Sequence, residues 1–176
     1  MKSSLIMFEN LNDDDISLLI KASQKLIFNS GEAIVEYGQS NKGIIIILEG
    51  QCQVMTDSGN QLDVLHAGDI LGEVSYIEDR TTLAQVVSVG ILSAAFIERS
   101  ILDALIAREV LFSSRFYLGV ARVLAYRLRL NMQVAFSEKT NIFDSASEFE
   151  NELDLTHLDS LTVAGARLSY FINAMK

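Results

Sequence analysis

Proline and tryptophan are absent from this sequence of 176 residues, cysteine occurs once and histidine twice. Average usage of about 5% proline would give several in a chain of this size, so glycine must make most of the sharp turns. Seven of the ten glycines fall between Gly31 and Gly72, which marks that stretch as rich in reversals. A lone Cys52 excludes an intramolecular disulfide, suits a reducing compartment and reads as a small core residue. His66 and His157 are too few and too far apart for the His-x-His and Glu set of a metal-binding barrel, so no metal site is expected. No Ser or Cys sits in a nucleophile-elbow context and no glycine loop carries a P-loop lysine. The residues therefore point away from an enzyme, and no catalytic residue or cofactor is assigned.

Long apolar runs are also missing. Ile44–Leu48 and Ile91–Ile97 are the longest, far below the ~20 residues that span a bilayer. Met1–Leu11 lacks the basic start and the cleavage site of a signal peptide. The expectation is a soluble, cytoplasmic protein with no membrane partner. A net charge of -9 opposes binding to a polyanion, because such binding depends on Lys and Arg displacing counterions. No nucleic-acid partner is expected. With 49% hydrophobic and 21% charged residues, the chain has the composition of a globular domain with a sizeable core.

Asn12 followed by Asp13, Asp14 and Asp15 reads as a capped helix start, and a short amphipathic helix follows. From Lys25 to Ile97 the pattern becomes short runs of Ile, Val, Leu and Phe broken by Gly, Asn, Asp and Ser. These predict strands near 25–28, 33–37, 43–48, 51–56, 61–66, 82–88 and 92–97, with a hairpin at Asp57-Ser58-Gly59-Asn60. The fold class is mainly β with flanking α, a sandwich or barrel. After Ser100, read as an N-cap, Ile101, Leu105 and Ile106 mark one helix. Phe112, Phe116, Val120, Val123, Arg127 and Leu130 form the stripe of a second, about 25 residues and close to 40 Å long. Its arginines are expected mostly on a solvated face. Three parts follow: 1–136 as the domain with its long helix, an acidic linker at 137–155, and an amphipathic helix at 156–176 that packs on the domain or on a partner.

One segment has the composition of a pocket. His66 to Thr82 combines two turn glycines, a helix-like stretch, and Glu73 and Arg80 seven apart. Gly72 lets backbone N–H groups approach an anion closely. Arg80 offers a planar fork for phosphate oxygens, and Thr81 and Thr82 add donors. Glu73, when ionised, can only accept, so a sugar hydroxyl is its natural partner. Taken alone, Glu73 and Arg80 would more often be a surface salt bridge worth about 0–1 kcal/mol; the surrounding glycines, threonines and strands favour a ligand site.

Leu71-Gly72-Glu73-Val74-Ser75-Tyr76 followed by Arg80-Thr81-Thr82 resembles the phosphate-binding cassette of the cyclic-nucleotide-binding domain family, which includes catabolite-activator-like and protein kinase A regulatory-subunit-like β-barrels. Gly38, Ile45–Gly50 and His66-Ala67-Gly68-Asp69 fit the same frame, and the resemblance covers about residues 8–135. It implies a double-stranded β-helix, or jelly-roll-like barrel, with an N-terminal helix and C-terminal helices. It implies a cyclic nucleotide, cAMP or cGMP, as ligand, with Arg80 on the phosphate oxygens and Glu73 on the ribose 2′-hydroxyl. Gly72, Val74, Ser75, Thr81 and Thr82 complete the implied site. Ser75 replaces the usual alanine, Ala67 a frequent proline and Thr82 a small apolar residue. Thr81 bears on cGMP acceptance, and Arg115, Tyr117 and Arg122 are candidates to reach the base from the long helix.

The leading expectation is thus a non-catalytic receptor that couples ligand binding to its C-terminal helices, with a homodimer through 109–135 and an effector protein as partners. A nucleotide-independent scaffold is the alternative and a DNA-binding regulator of the same superfamily the third. Only 40 residues follow from 137 to 176, too few for the winged helix-turn-helix domain of such regulators.

Overall fold

The computed structural model describes residues 2–40, 42–139 and 155–176. Two short helices open the chain, α1 (Ser3–Glu9) and α2 (Asp13–Ala22). The first was not expected. Asn12 caps α2 as its sequence predicts, accepting from the Asp15 N–H at 2.8 Å while the Asp15 carboxylate accepts from the Asn12 N–H at 2.8 Å. The same carboxylate, almost wholly buried, takes a two-pronged hydrogen bond from Arg115 at 2.6 and 2.8 Å.

Strands β1 (Ser23–Phe28), β2 (Ala33–Val35), β3 (Gly43–Met55), β4 (Gln61–His66), β5 (Ile70–Leu71) and β6 (Gln85–Glu98) make one antiparallel sheet in the order β1-β6-β3-β4. β2 pairs with β6 and β5 with β3. The sheet is rolled but its strands do not close into the hydrogen-bonded barrel anticipated from the sequence. Two pairs of expected strands are each one continuous strand, β3 and β6, because the breaks between them are bulges within pairing and not turns.

The run Ile44-Ile45-Ile46-Ile47-Leu48 is apolar throughout because both of its faces are buried. Ile44, Ile46 and Leu48 meet the helical layer, whereas Ile45 and Ile47 face the interior of the roll with Cys52, Leu65 and Val86. Burial, reinforced by Asp69 and Asp63, pushes the Cys52 thiol up to about 12, so it stays a neutral core group. Between the two halves of β3, register shifts lie on either side of Glu49, the second of them spanning Gly50, whose φ is +92°. A Cβ there would meet the Ile91 carbonyl oxygen at 2.7 Å. Gly50→Ala is expected to cost about 1–3 kcal/mol from backbone strain, with the clash added. An unchanged urea midpoint would show that this bend accommodates a side chain.

Helix α3 (Glu73–Glu78) follows β5, and α4 (Arg99–Arg108) and α5 (Val110–Lys139) follow β6. Glu98, not Ser100, is the N-cap of α4; Ser100 lies inside the first turn and donates to the Glu98 carboxylate at 2.6 Å. α5 has 30 residues, somewhat longer than its stripe suggested. Phe112, Phe116, Val120 and Val123 are buried as expected. Helix α6 (Leu155–Ala174) packs on the domain itself: Phe171 meets Phe8 edge-on at 5.6 Å, and Ala164 and Leu168 join the same core. Most of the linker expected at 137–155, residues 140–154, lies outside the described residues.

The turn His66-Ala67-Gly68-Asp69 anchors α1. The Ser3 hydroxyl accepts from the Ile70 N–H at 2.8 Å, the Ser4 hydroxyl donates to the Gly68 carbonyl, and Asp69 accepts from the Ser3 and His66 N–H groups at 3.2 and 3.0 Å. Those contacts fix the approach to β5 and hence the start of α3.

Candidate functional site

Gly72 stands between β5 and α3 at φ +87°, a left-handed conformation that glycine adopts without strain. It turns the chain so that Glu73, the first residue of α3, points inward with a side chain that is 2% exposed. Burial pushes the Glu73 carboxyl above its ordinary value, and the Arg127 guanidinium pulls it part of the way back. Arg127, on α5, donates one guanidinium nitrogen to the Glu73 carboxylate and another to the Ile70 carbonyl at 2.7 Å. One side chain thus ties the long helix to both ends of the Gly72 turn.

A half-open pocket of 490 Å³ lies where the roll, α3 and α5 meet. This is within the usual range for small-molecule sites, about 300–1,000 Å³. Gly72, Glu73, Val74, Ser75 and Thr82 line it, as do Arg127, Leu130 and Asn131 of α5. Its walls are otherwise largely apolar, with Val35, Val54, Leu62, Leu65, Leu71, Leu83 and Val86, and Asp63 is the remaining charged group. A second cavity of 290 Å³ continues past Val35, Gly72 and Thr82 toward β1 and β2, with Glu36 and Lys42 on its lining.

Five of the seven residues singled out in the sequence come together on this pocket; Arg80 and Thr81 do not line it. Arg80 is exposed, and its N–H approaches the Ser75 carbonyl at 3.4 Å as α3 ends. Asp79 before it takes the left-handed conformation at φ +52°, which turns the chain outward. Thr81 is exposed and bridges Ser40 across an antiparallel pair. Thr82 is buried: its N–H donates to the Gln39 carbonyl at 2.9 Å, its carbonyl accepts from the Gly38 N–H at 2.9 Å, and its hydroxyl donates to the Glu36 carbonyl. The two threonines fasten the cassette to the 36–40 turn.

The long-helix candidates are spent elsewhere. Arg115 holds Asp15, Arg122 approaches Glu9 at 3.8 Å, and Tyr117 stands edge-on to Phe116. The residue that reaches the site is Arg127, and the sequence held a signal for it. It sits on the apolar stripe with Phe116, Val120 and Val123, and a cation on a buried face requires a buried partner.

The far end of α3 is tied as well. The Tyr76 hydroxyl donates to Asp103 of α4 at 2.5 Å, its ring stands edge-on to Phe116 at 6.3 Å, and Arg99 lies over it at 5.2 Å. Arg99 also pairs with Asp79 at 2.9 Å. Among the described residues no cluster of His, Cys, Asp and Glu could hold a metal ion, and no helix is long and apolar enough to cross a membrane.

Residues 25–109 match the family model for the cyclic nucleotide-binding domain. Over 94 residues the chain is 29% identical to the cAMP-dependent protein kinase regulatory subunit of Debaryomyces hansenii, a match covering 53% of this chain and 21% of that protein. The chain therefore spans about a fifth of the length of this relative. Its fold is similar to a cyclic nucleotide-binding domain from Methylobacillus flagellatus, with a TM-score of 0.69 and 18% identity over 77% of this chain and 82% of that one. It is also similar to the regulatory subunit of a cAMP-independent protein kinase A from Trypanosoma brucei, with a TM-score of 0.55 and 20% identity over 76% of this chain and 45% of that one. The family match over residues 25–109, the antiparallel roll and the Gly72–Glu73 turn facing a pocket agree, and the fold is that of the cyclic nucleotide-binding domains it resembles.

Proposed function

We propose that this chain is a non-catalytic regulatory module in which a ribose-bearing ligand, cAMP or cGMP being the family's expectation, and Arg127 compete for Glu73. The buried Glu73–Arg127 pair carries this reading, because it joins the pocket to α5 through one carboxylate. A sugar hydroxyl donating to Glu73 would take the acceptor that Arg127 now uses, and α5 would lose its hold on the Gly72 turn. A ligand shifts such an equilibrium only by its difference in affinity for the two helix positions, and the shared acceptor supplies that difference. Calorimetry with adenosine, guanosine, cAMP and cGMP, paired with hydrogen exchange along α5, tests it. Binding should speed exchange over residues 123–133, and the absence of heat with all four ligands would overturn the reading.

A second reading, assembly without a ligand, is favoured by the outer face of α5. Leu111, Leu118, Leu128 and Met132 are exposed there, and Ser114, Ala121 and Ala125 complete an alternating three-and-four spacing along one seam. Arg115, Arg122 and Arg129 run along one flank, with Val110, Tyr117, Leu124 and Asn131 along the other. A parallel pairing of two copies sets arginine flank against uncharged flank, whereas an antiparallel one sets arginines against arginines. This reading expects a parallel homodimer by sedimentation whose association is the same with and without nucleotide, and Leu118→Lys should dissociate it.

A further inference from the structure

The proposed reading leaves the base of the ligand open, and the pocket carries one group suited to choosing it. Asp63 lines the pocket from β4, away from the Gly72 turn that presents Glu73. It stands among apolar side chains: Val54 is its cross-strand partner, Leu62 and Leu65 flank it on β4, and α5 contributes Leu130. A flat base needs apolar surface, so a ligand whose sugar reaches Glu73 finds room for its base beside these side chains, with its polar edge toward Asp63.

One oxygen of the Asp63 carboxylate accepts from the Val64 N–H at 2.8 Å, which fixes the group and leaves acceptor capacity on both oxygens. Its charge also reaches the interior of the roll, where it helps to push up the Cys52 thiol. The side chain is exposed, so water solvates it until a ligand covers it.

An ionised carboxylate only accepts. Guanine offers its N1–H and N2–H donors side by side, one for each oxygen, in the two-pronged manner of a guanidinium. Adenine offers an N6–H donor beside N1, which is itself an acceptor. One carboxylate oxygen then loses water and gains no donor, and an acceptor covered in that way is costly. Release of Arg127 from Glu73 does not oppose this choice, because guanine O6 and N7 accept two of its N–H groups whereas adenine has N7 alone.

We propose that Asp63 sets the base preference of the pocket, guanine over adenine. The proposal rests on the reading of the pocket as a ribose site and assigns the base within it.

Calorimetry on the full chain with cGMP, cIMP and cAMP tests it, since the hypoxanthine of cIMP keeps the N1–H of guanine and lacks the N2 amine. Affinity should fall in that order, with cGMP at least about tenfold tighter than cAMP, because a site that hydrogen-bonds a donor rejects the analogue without it. Asp63→Asn should remove most of this preference: an amide pairs with N6–H and N1 of adenine as readily as with N1–H and O6 of guanine. Because Asp63 is exposed, the variant should keep the urea midpoint of the unaltered chain. Tighter binding of cAMP by the unaltered chain overturns the assignment, as does a cGMP preference that Asp63→Asn leaves undiminished, the result expected if Thr81 chose the base; both leave the ribose-site reading intact. No heat with any of the three removes that reading, and this proposal with it.

Discussion

Replacing Arg127 by alanine is expected to destabilise the folded chain by about 3 kcal/mol near neutral pH, because it strands a buried carboxylate. Glu73 has a side chain exposure of 2%, and Arg127, at 31%, is the cation paired with it. Without the guanidinium, Glu73 keeps only a backbone hydrogen bond, and proton uptake becomes its main relief. Its carboxyl, already raised by burial, rises further when the opposing pull of Arg127 is gone. A group whose folded value lies above its unfolded one favours folding below the unfolded value and loses that contribution as pH rises through the folded value. The deficit of Arg127→Ala should therefore shrink as pH is lowered from about 8 to about 5. Urea denaturation at both ends of that range measures it. Glu73→Gln/Arg127→Met, which removes both charges, should recover most of the loss. A deficit independent of pH would mean that Arg127 acts through packing alone.

Phe171→Ala should be at least as costly, about 3–5 kcal/mol. Phe171 is fully buried against Phe8, in the core shared by α1, α2, α5 and α6. The polar contacts of α6 contribute little by comparison. Arg167 reaches Asp13 at 2.8 Å, but Asp13 is 89% exposed, and exposed pairs of this kind are worth about 0–1 kcal/mol. The stability of the α6 contact thus rests on a few apolar side chains. A single unfolding transition with a lowered midpoint is expected. A loss below about 1 kcal/mol would show that α6 is not an integral part of the domain.

Much of this architecture is readable from residue order. The capping of α2 by Asn12, the paired hairpin strands around Asp57–Asn60 and the two-sided burial of 44–48 all follow from local rules that the tertiary structure does not override. The length of β3 and β6 is not readable in that way. Gly50 and Gly90 look like strand ends, yet the ladder runs past both because a bulge absorbs what a turn would have reversed. Helix α1 escapes notice because Ser3 and Ser4, polar in the sequence, are buried by contacts to a turn some 65 residues away.

The site divides along the same line. Gly72, Glu73, Val74, Ser75 and Thr82 face the pocket because they belong to one short turn and to the strand edge beside it. The position of Arg80 depends instead on the left-handed Asp79 and on the Thr81–Ser40 bridge, neither of which its residue type announces. Arg127 lies 54 residues from its partner. Periodicity places it on the buried face of α5, but only the packing of α5 against the roll shows which carboxylate it meets.

The order of strands in the sheet also bears on how the chain acquires its structure. β1, β2 and β3 all pair with β6, so the central ladder cannot form until residue 98 has been made. Contacts of such sequence separation slow folding, because loop closure precedes any reward from pairing. During synthesis β3 can pair with β4 and β5, but β1 and β2 wait for β6, with the exposed edges that make slow-folding sheets prone to aggregate. Helix α6 in turn settles against α1, more than 140 residues earlier in the chain. The rate at which β6 is captured therefore sets how long the strands made before it keep open edges.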